Sequence, residues 1–259
     1  MLNIFAADEL HVVIAPEGVF KIGDLVITNS MFYGWICSLA IIALLYAATK
    51  RITIKGSKGF SQLLDAGVEF VVDTMSNSLG SRKLAIRYAP FFATLFFFIL
   101  LSNWFGLLPG VGHSLQYNGT NLLRPFTADL NGTLGMAIFG MIMVQVIAIR
   151  ESGAKNYAKH YFPGKLYNPG TYLIGAFEIF SEFTRLITLG LRLFLNVAVG
   201  EILIAVFAFL GSYGGSFAAL PFTLLEIFVG LLQAYIFVVL CAAYLSLAIS
   251  HNDHAEEAA

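Results

Sequence analysis

An arginine lies deep inside a long apolar segment in the last third of the chain. Arg192 belongs to the motif Gly-Leu-Arg-Leu-Phe-Leu-Asn within residues 171–210. A charged side chain at the centre of a bilayer costs from roughly 3 to more than 10 kcal/mol, and arginine cannot avoid this cost by losing its proton. A fixed cation repels other cations and attracts carboxylates. The residue type and its place therefore indicate control of ion movement.

Polar side chains share the helix face of Arg192. At about 100° per residue, a stripe of them falls within about 40° of Arg192, whereas Glu201 falls on the opposite side. The stripe consists of Glu178, Ser181, Arg185, Thr188 and Asn196.

The final apolar segment, residues 216–250, carries a second polar face. Glu226, Gln233 and Tyr244 fall within about 20° of one another by the same helical period. Carboxylates, amides and hydroxyls on facing helices are groups that carry protons or coordinate ions within a membrane.

The composition identifies the elements that position these residues as membrane helices. Of 259 residues, 58% are hydrophobic and 12% are charged. The apolar segments are continuous, whereas strands of a membrane barrel would alternate. We predict an all-α membrane protein, a single membrane domain with five transmembrane helices and one amphipathic surface helix. The net charge of −1 gives no indication of nucleic-acid binding.

The elements are predicted in order along the chain. They are an outer N-terminal segment at 1–30, span 1 at 31–49, the surface helix at 60–80, span 2 at 90–108, span 3 at 130–149, two long tilted helices at 171–210 and 216–250, and a cytoplasmic tail at 251–259. The surface helix has Asp65, Glu69 and Asp73 on one face and apolar residues on much of the rest. The last two helices would be about 60 Å and about 50 Å long, so both must tilt or bend within a hydrocarbon core of roughly 30 Å.

The basic residues predict the orientation. Of the 15 lysines and arginines, seven lie within 50–87 and four within 150–165. Because basic loops face the cytoplasm, we expect the N-terminus outside and the C-terminus inside. This topology assigns Glu201, Glu226 and Asn103 to the outer half of the membrane, and Glu178, Ser181, Glu182 and Tyr244 to the inner half. Arg192 separates the two groups, as expected of two ion half-paths that do not meet.

Three motifs together resemble subunit a of the rotary F-type ATP synthase. They are Ser102-Asn-Trp-Phe-Gly-Leu-Leu-Pro109, Gly190-Leu-Arg-Leu-Phe-Leu-Asn196 followed by Gly200-Glu201, and Leu-Leu-Gln233-Ala-Tyr-Ile-Phe with Tyr244-Leu-Ser. The resemblance extends over nearly the whole chain in the same order. This chain departs from the family at two points. Both members of the outer acidic pair are Glu, where relatives often have one His, and Gly106 stands where some bacterial relatives have Asp.

The resemblance implies an ion-conducting stator subunit of the Fo sector in a bacterial plasma membrane. Such a subunit lies in the bilayer beside a ring of c subunits, provides two offset half-channels to the ring carboxylates, and contacts the b subunits of the peripheral stalk. It implies that Arg192 is the essential arginine, with Asn196 and Gln233 as polar neighbours. It also implies that Glu201 and Glu226 serve the outer half-channel, and Glu178 and Ser181 the inner one. The coupling ion can be H⁺ or Na⁺.

No phosphate-binding loop, metal-ligand cluster or nucleophile–base arrangement is recognisable in the sequence. We therefore expect no catalytic site and no cofactor, and we expect ATP chemistry to belong to a separate soluble sector.

Structural interpretations of individual residues remain open. Arg192 could brace the helix by pairing with Glu178 or Glu182, a task that Arg185 is better placed to perform. Asn103 and Gln145 could be packing residues between helices.

Alternatives also exist for the acidic pair and for the whole chain. Glu201 and Glu226 could be mutual hydrogen-bonding partners without a transport role. The chain could be an independent ion or solute carrier, although the internal repeat of such carriers is not evident, or a purely structural anchor.

Overall fold

A computed structural model describes residues 16–22, 25–50, 59–108, 111, 116–117, 120–121, 123–153, 157, 169–211 and 215–250. This part of the chain contains six α-helices: α1 Asn29–Thr49, α2 Phe60–Leu79, α3 Arg82–Gly106, α4 Leu130–Ser152, α5 Pro169–Leu210 and α6 Gly215–Ser250. The predicted tail at 251–259 lies outside the described residues. Two small antiparallel pairs were not predicted: β1 Gly18–Ile22 with β2 Leu25–Thr28, and β3 Gln116–Tyr117 with β4 Thr120–Asn121.

Five of the described helices, α1 and α3 to α6, are long and apolar enough to cross a membrane. Helix α5 has 42 residues and α6 has 36, so both exceed the roughly 20 residues that a hydrocarbon core requires. The two long helices pack on each other, and the rings of Phe207 and Phe222 stack with their centroids 3.8 Å apart. The prediction of an all-α membrane fold is confirmed.

Helix α2 has the two faces that the sequence predicted. Asp65, Glu69 and Asp73 are exposed, whereas the opposite face is buried, with Val71 and Met75 almost fully covered. A charged face of this kind is typical of a helix that lies along a membrane surface.

Helix α3 begins at Arg82, earlier than the apolar segment expected from residue 90. Gly80 precedes it with a φ of 66°, the left-handed conformation with which many helices end. The Arg82 guanidinium then bonds back to α2, at 2.6 Å from Glu69 Oε1 and 3.0 Å from Asp73 Oδ1. Pro90 lies inside the helix, which continues through it to Gly106.

The described residues group into two compact units. The first is drawn from Met1–Asp65, Phe96–Thr133 and Leu191–Tyr235, and the second from Ala66–Leu95, Leu134–Gly190 and Ile236–Ala259.

In the first unit, Phe126 is the centre of a close packing arrangement. Its ring lies against Gly34 of α1 and Gly132 of α4, where an added Cβ would come within 2.9 Å and 2.7 Å of ring atoms. The Tyr33 hydroxyl donates to the carbonyl oxygen of Phe105 at 2.8 Å. Small residues therefore let α1 and the start of α4 approach one loop residue closely.

A buried carboxylate links the beginnings of α1 and α4 within the same unit. Asp129 Oδ1 accepts the backbone N–H of Asn131 at 3.0 Å, which caps α4, and Asp129 Oδ2 accepts the Ser30 hydroxyl at 2.5 Å. Ser30 and Asp129 are 0% and 6% exposed. One side chain thus satisfies polar groups of two helix starts.

In the second unit, small residues again allow close helix contacts. Gly190 of α5 lies against Leu134, whose Cα would be 3.2 Å from a Cβ at this position, and Gly140 of α4 lies against the Phe237 ring. Phe237 is fully buried. These contacts bring α4 against both long helices.

Candidate functional site

Arg192 is half-buried on α5 and has no protein partner in the described part of the chain. No hydrogen bond or ion pair joins it to a described residue. The interpretation of Arg192 as an internal brace therefore finds no support. A permanent charge without a partner among the described residues indicates a partner of another kind.

Exposed apolar side chains flank Arg192 along the helix. Leu195, Val199 and Leu203 fall within about 60° of it by the helical period, and they are 51%, 50% and 38% exposed. A neighbouring side of the helix, about 100° to 140° from Arg192 and including Leu193 and Val197, is buried. Arg192 therefore stands at the edge of a surface that this unit leaves open to lipid or to another chain.

The two outer glutamates that the sequence predicted lie close together in the first unit. Glu226 is 7% exposed, and its carboxylate rests on the backbone of Gly200, where a Cβ would coincide with it. Glu201 is the next residue on α5 and is half-buried. The charged groups that act on Glu201 are Arg124 and Glu226. The absence of a side chain at Gly200 is thus what allows the pair to form.

Helix α3 supports this pair through its last turn. The Trp104 indole N–H donates to the carbonyl oxygen of Ile227 at 3.1 Å, and the Asn103 amide nitrogen lies 3.5 Å from the carbonyl oxygen of Gly230. Both acceptors are on α6 within four residues of Glu226. Asn103 therefore contributes to the position of α6, as the packing interpretation expected.

Three amide side chains of the first unit have a buried polar atom without a hydrogen-bond partner among the described residues. The atoms are Oδ1 of Asn103, Nδ2 of Asn196 and Nε2 of Gln233. Most buried polar atoms in proteins are paired, so each of these three atoms is a candidate contact for water, an ion or a second molecule. All three residues are among those predicted from the sequence.

Three residues predicted for the inner half of the membrane, Glu178, Glu182 and Tyr244, meet around a cavity of about 110 Å³ in the second unit. Its polar lining consists of Gln145, Glu178, Glu182, Arg185 and Tyr244. Predicted Glu178 and Tyr244 are therefore brought together, whereas Ser181 is half-buried on the same helix and does not line the cavity.

Three contacts organise this cavity. The Arg185 guanidinium lies over the Tyr244 ring, 5.1 Å from its centroid. Gln145 Nε2 donates to Glu182 Oε1 at 2.6 Å, and the Tyr157 hydroxyl donates to Gln145 Oε1. The one indication of Gln145 in the sequence is an amide within an apolar span, which favours packing between helices.

Comparison with known proteins identifies the family. The family model described as ATP synthase A chain matches residues 31–246. The chain belongs to this family. Every residue predicted for the site, from Asn103 to Tyr244, lies within the matched range.

Similar proteins named ATP synthase subunit a occur in several bacteria. The protein of Chlorobium phaeobacteroides (strain DSM 266) is 31% identical, with 99% of this chain and 75% of the relative covered. That of Syntrophobacter fumaroxidans is 32% identical, with 93% and 92% covered. That of Moorella thermoacetica is 27% identical, with 90% and 96% covered. Membership of the ATP synthase A chain family supports a stator role in the Fo sector, with ATP synthesis and ion transport as the associated processes.

Proposed function

We propose that this chain is the ion-conducting stator subunit of an ATP synthase Fo sector. In this role it provides two offset half-channels through which ions reach and leave the carboxylates of a c-subunit ring. The observation that carries the proposal is Arg192, a cation on a membrane helix that has no partner among the described residues and stands beside an exposed apolar surface.

Arg192 has two tasks in this proposal. Its charge repels cations, so an ion cannot pass directly between the half-channels. It also attracts a deprotonated carboxylate of the ring and releases it when an ion arrives. Arginine suits both tasks because it stays charged at any physiological pH. Asn196 and Gln233, each with a buried amide nitrogen available for bonding, assist it.

The two groups of polar residues form the half-channels. Glu201 and Glu226, with Asn103, provide the outer path, and Glu178, Ser181 and Tyr244 provide the inner path. The grouping is supported by the structure, since the first three belong to one compact unit and the last three to the other. Carboxylates and hydroxyls within membrane segments are the groups that relay protons in pumps and transporters.

Partners and location follow from the same role. The chain is proposed to span a bacterial plasma membrane with the N-terminus outside and the C-terminus in the cytoplasm. It contacts the c-ring through the exposed apolar face of α5. It also contacts b subunits of the peripheral stalk. ATP is synthesised elsewhere in the assembly, so this chain is a non-catalytic subunit.

Replacement of Arg192 tests the proposal. In the assembled complex, Arg192→Ala is expected to abolish ATP synthesis and ATP-driven ion pumping, while the c-ring still copurifies with the chain. Arg192→Lys should also be impaired because the planar fork of arginine is lost. Arg150→Ala, at the exposed end of α4, is the matched control and should pump normally.

Two results would contradict the proposal. One is full coupled pumping by the Arg192→Ala complex. The other is ion transport by the purified chain alone in liposomes, which an independent carrier would show and a stator subunit without its ring would not.

A further inference from the structure

Gln145 is an amide residue within helix α4, away from both of its ends. The residue is half-buried, and its side chain lines the polar cavity of the second unit. Glutamine side chains in membrane helices commonly hydrogen-bond across helix interfaces. Gln145 makes such a bond to an acidic side chain of α5 that lines the same cavity.

The hydrogen bonds of the Gln145 side chain can form with the amide group in only one orientation. Glu182, when ionised, can only accept, so the amide nitrogen must face it and the amide oxygen must face away. That oxygen accepts from the Tyr157 hydroxyl. Each group is thus the donor or acceptor that its neighbour requires, and the distance from Gln145 Nε2 to Glu182 Oε1 is 2.6 Å.

The surroundings of Glu182 are suited to ion movement. The other titratable or charged groups that line the cavity are Glu178, Arg185 and Tyr244. Arg185 is held over the Tyr244 ring. At about 110 Å³, the cavity can hold several water molecules, each of which occupies about 30 Å³ in the liquid.

We propose that Gln145 is a positioning residue of the inner ion path and that Glu182 is a further proton-carrying group of that path. The Gln145 amide holds the Glu182 carboxylate in the wall of the cavity, beside Glu178. This inference rests on the function proposed above, and it assigns to Gln145 a role that its place in an apolar helix does not reveal.

Passive proton flux through Fo tests the proposal in inverted membrane vesicles stripped of the soluble sector. Gln145→Leu keeps the size of the side chain and removes both hydrogen bonds. It should lower the flux about tenfold, the factor that corresponds to one hydrogen bond to a charged group. Tyr157→Phe removes only the donor to the amide oxygen and should have a smaller effect.

Gln145→Glu separates positioning from packing. Its carboxyl group has the shape of the amide but bonds to Glu182 only while one of the two is protonated. The flux relative to the unaltered complex should therefore approach unity at low pH and fall as the pH rises. Thr133→Val is the matched control, because Thr133 is a fully buried polar residue of α4 that bonds within its own helix turn. Its relative flux should not change with pH.

The outcomes distinguish this inference from the function on which it rests. Wild-type flux in Gln145→Leu, or a relative flux in Gln145→Glu that is the same at every pH, would overturn the role of Gln145. If Gln145→Leu does not assemble, the pH profile of Gln145→Glu decides alone. Arg192→Ala is measured in parallel in vesicles that retain the soluble sector: coupled pumping in that variant contradicts the stator function, whereas loss of pumping there with normal Gln145 variants contradicts only this inference.

Discussion

At the residue scale, the acidic pair proposed for the outer path, Glu201 and Glu226, depends on the missing side chain at Gly200. The Glu226 carboxylate fills the space that a Cβ would take, and Glu201 follows directly in the chain. Two long helices thus come close enough for two acids to share one small region. Glycine is required here for space, since the backbone of α5 is helical at this point.

Gly200→Ala should disrupt the outer path. The added methyl group displaces the Glu226 carboxylate, and overpacking of this kind costs about 1–3 kcal/mol. ATP-driven pumping should fall strongly, and the shorter side chain of Glu226→Asp should restore part of it in the double variant. Gly135→Ala is the control, because a Cβ there meets nothing within 4 Å. Equal pumping in the two alanine variants would show that the contact between Glu226 and Gly200 is not needed for pumping.

At the element scale, the starts of α1 and α4 are joined through a side chain rather than through backbone pairing. Asp129 caps α4 and accepts from Ser30 of α1, and both residues are buried. By contrast, the pairs between Arg82 and the acidic face of α2 are more than half exposed. Exposed pairs contribute little to stability, so the buried link carries more of the connection between elements.

Asp129→Ala should lower the free energy of unfolding of the detergent-solubilised protein by about 1–3 kcal/mol, because it removes a helix cap and leaves the buried Ser30 hydroxyl without its acceptor. Asn131→Ala, an exposed position in the same turn, should change it by less than about 0.5 kcal/mol. A double-mutant cycle with Ser30→Ala measures the coupling. A coupling energy of zero would mean that the link does not stabilise the fold.

At the scale of the whole molecule, α5 leaves apolar side chains uncovered beside Arg192. Leu195 and Val199 are about half exposed beside Arg192. Lipid would cover the apolar groups but would offer nothing to the guanidinium. A second chain that presents both apolar surface and a carboxylate satisfies both requirements.

A photo-reactive amino acid at Leu195 or Val199 should therefore capture a c-ring subunit in native membranes. The same label at Ile42, which is 64% exposed on α1, should capture lipid and no ring subunit. The products are separated by electrophoresis and identified by mass spectrometry. Labelling of the ring from Ile42 but not from Leu195 would contradict the proposed interface.

Much of the fold was predictable because the hydropathy of a segment determines where a membrane helix forms. Continuous apolar runs predicted the five spans, and the four-residue spacing of Asp65, Glu69 and Asp73 predicted the exposed face of α2. The start of α3 was not predictable from hydropathy. The first turns of this helix, from Arg82 to Arg87, carry three basic residues, and Gly80 and the bonds of Arg82 define the beginning instead.

The candidate site was likewise predictable only in part. Helical period and the cost of burying charge singled out Arg192, its polar stripe and the acids of each membrane half, since these are properties of one helix in an apolar solvent. The contact of Glu226 with Gly200, the bond from Gln145 to Glu182 and the lack of a described partner for Arg192 depend on where separate helices touch. The spacing of residues within a helix does not encode its rotation against a neighbour, so packing in the tertiary structure decided these contacts.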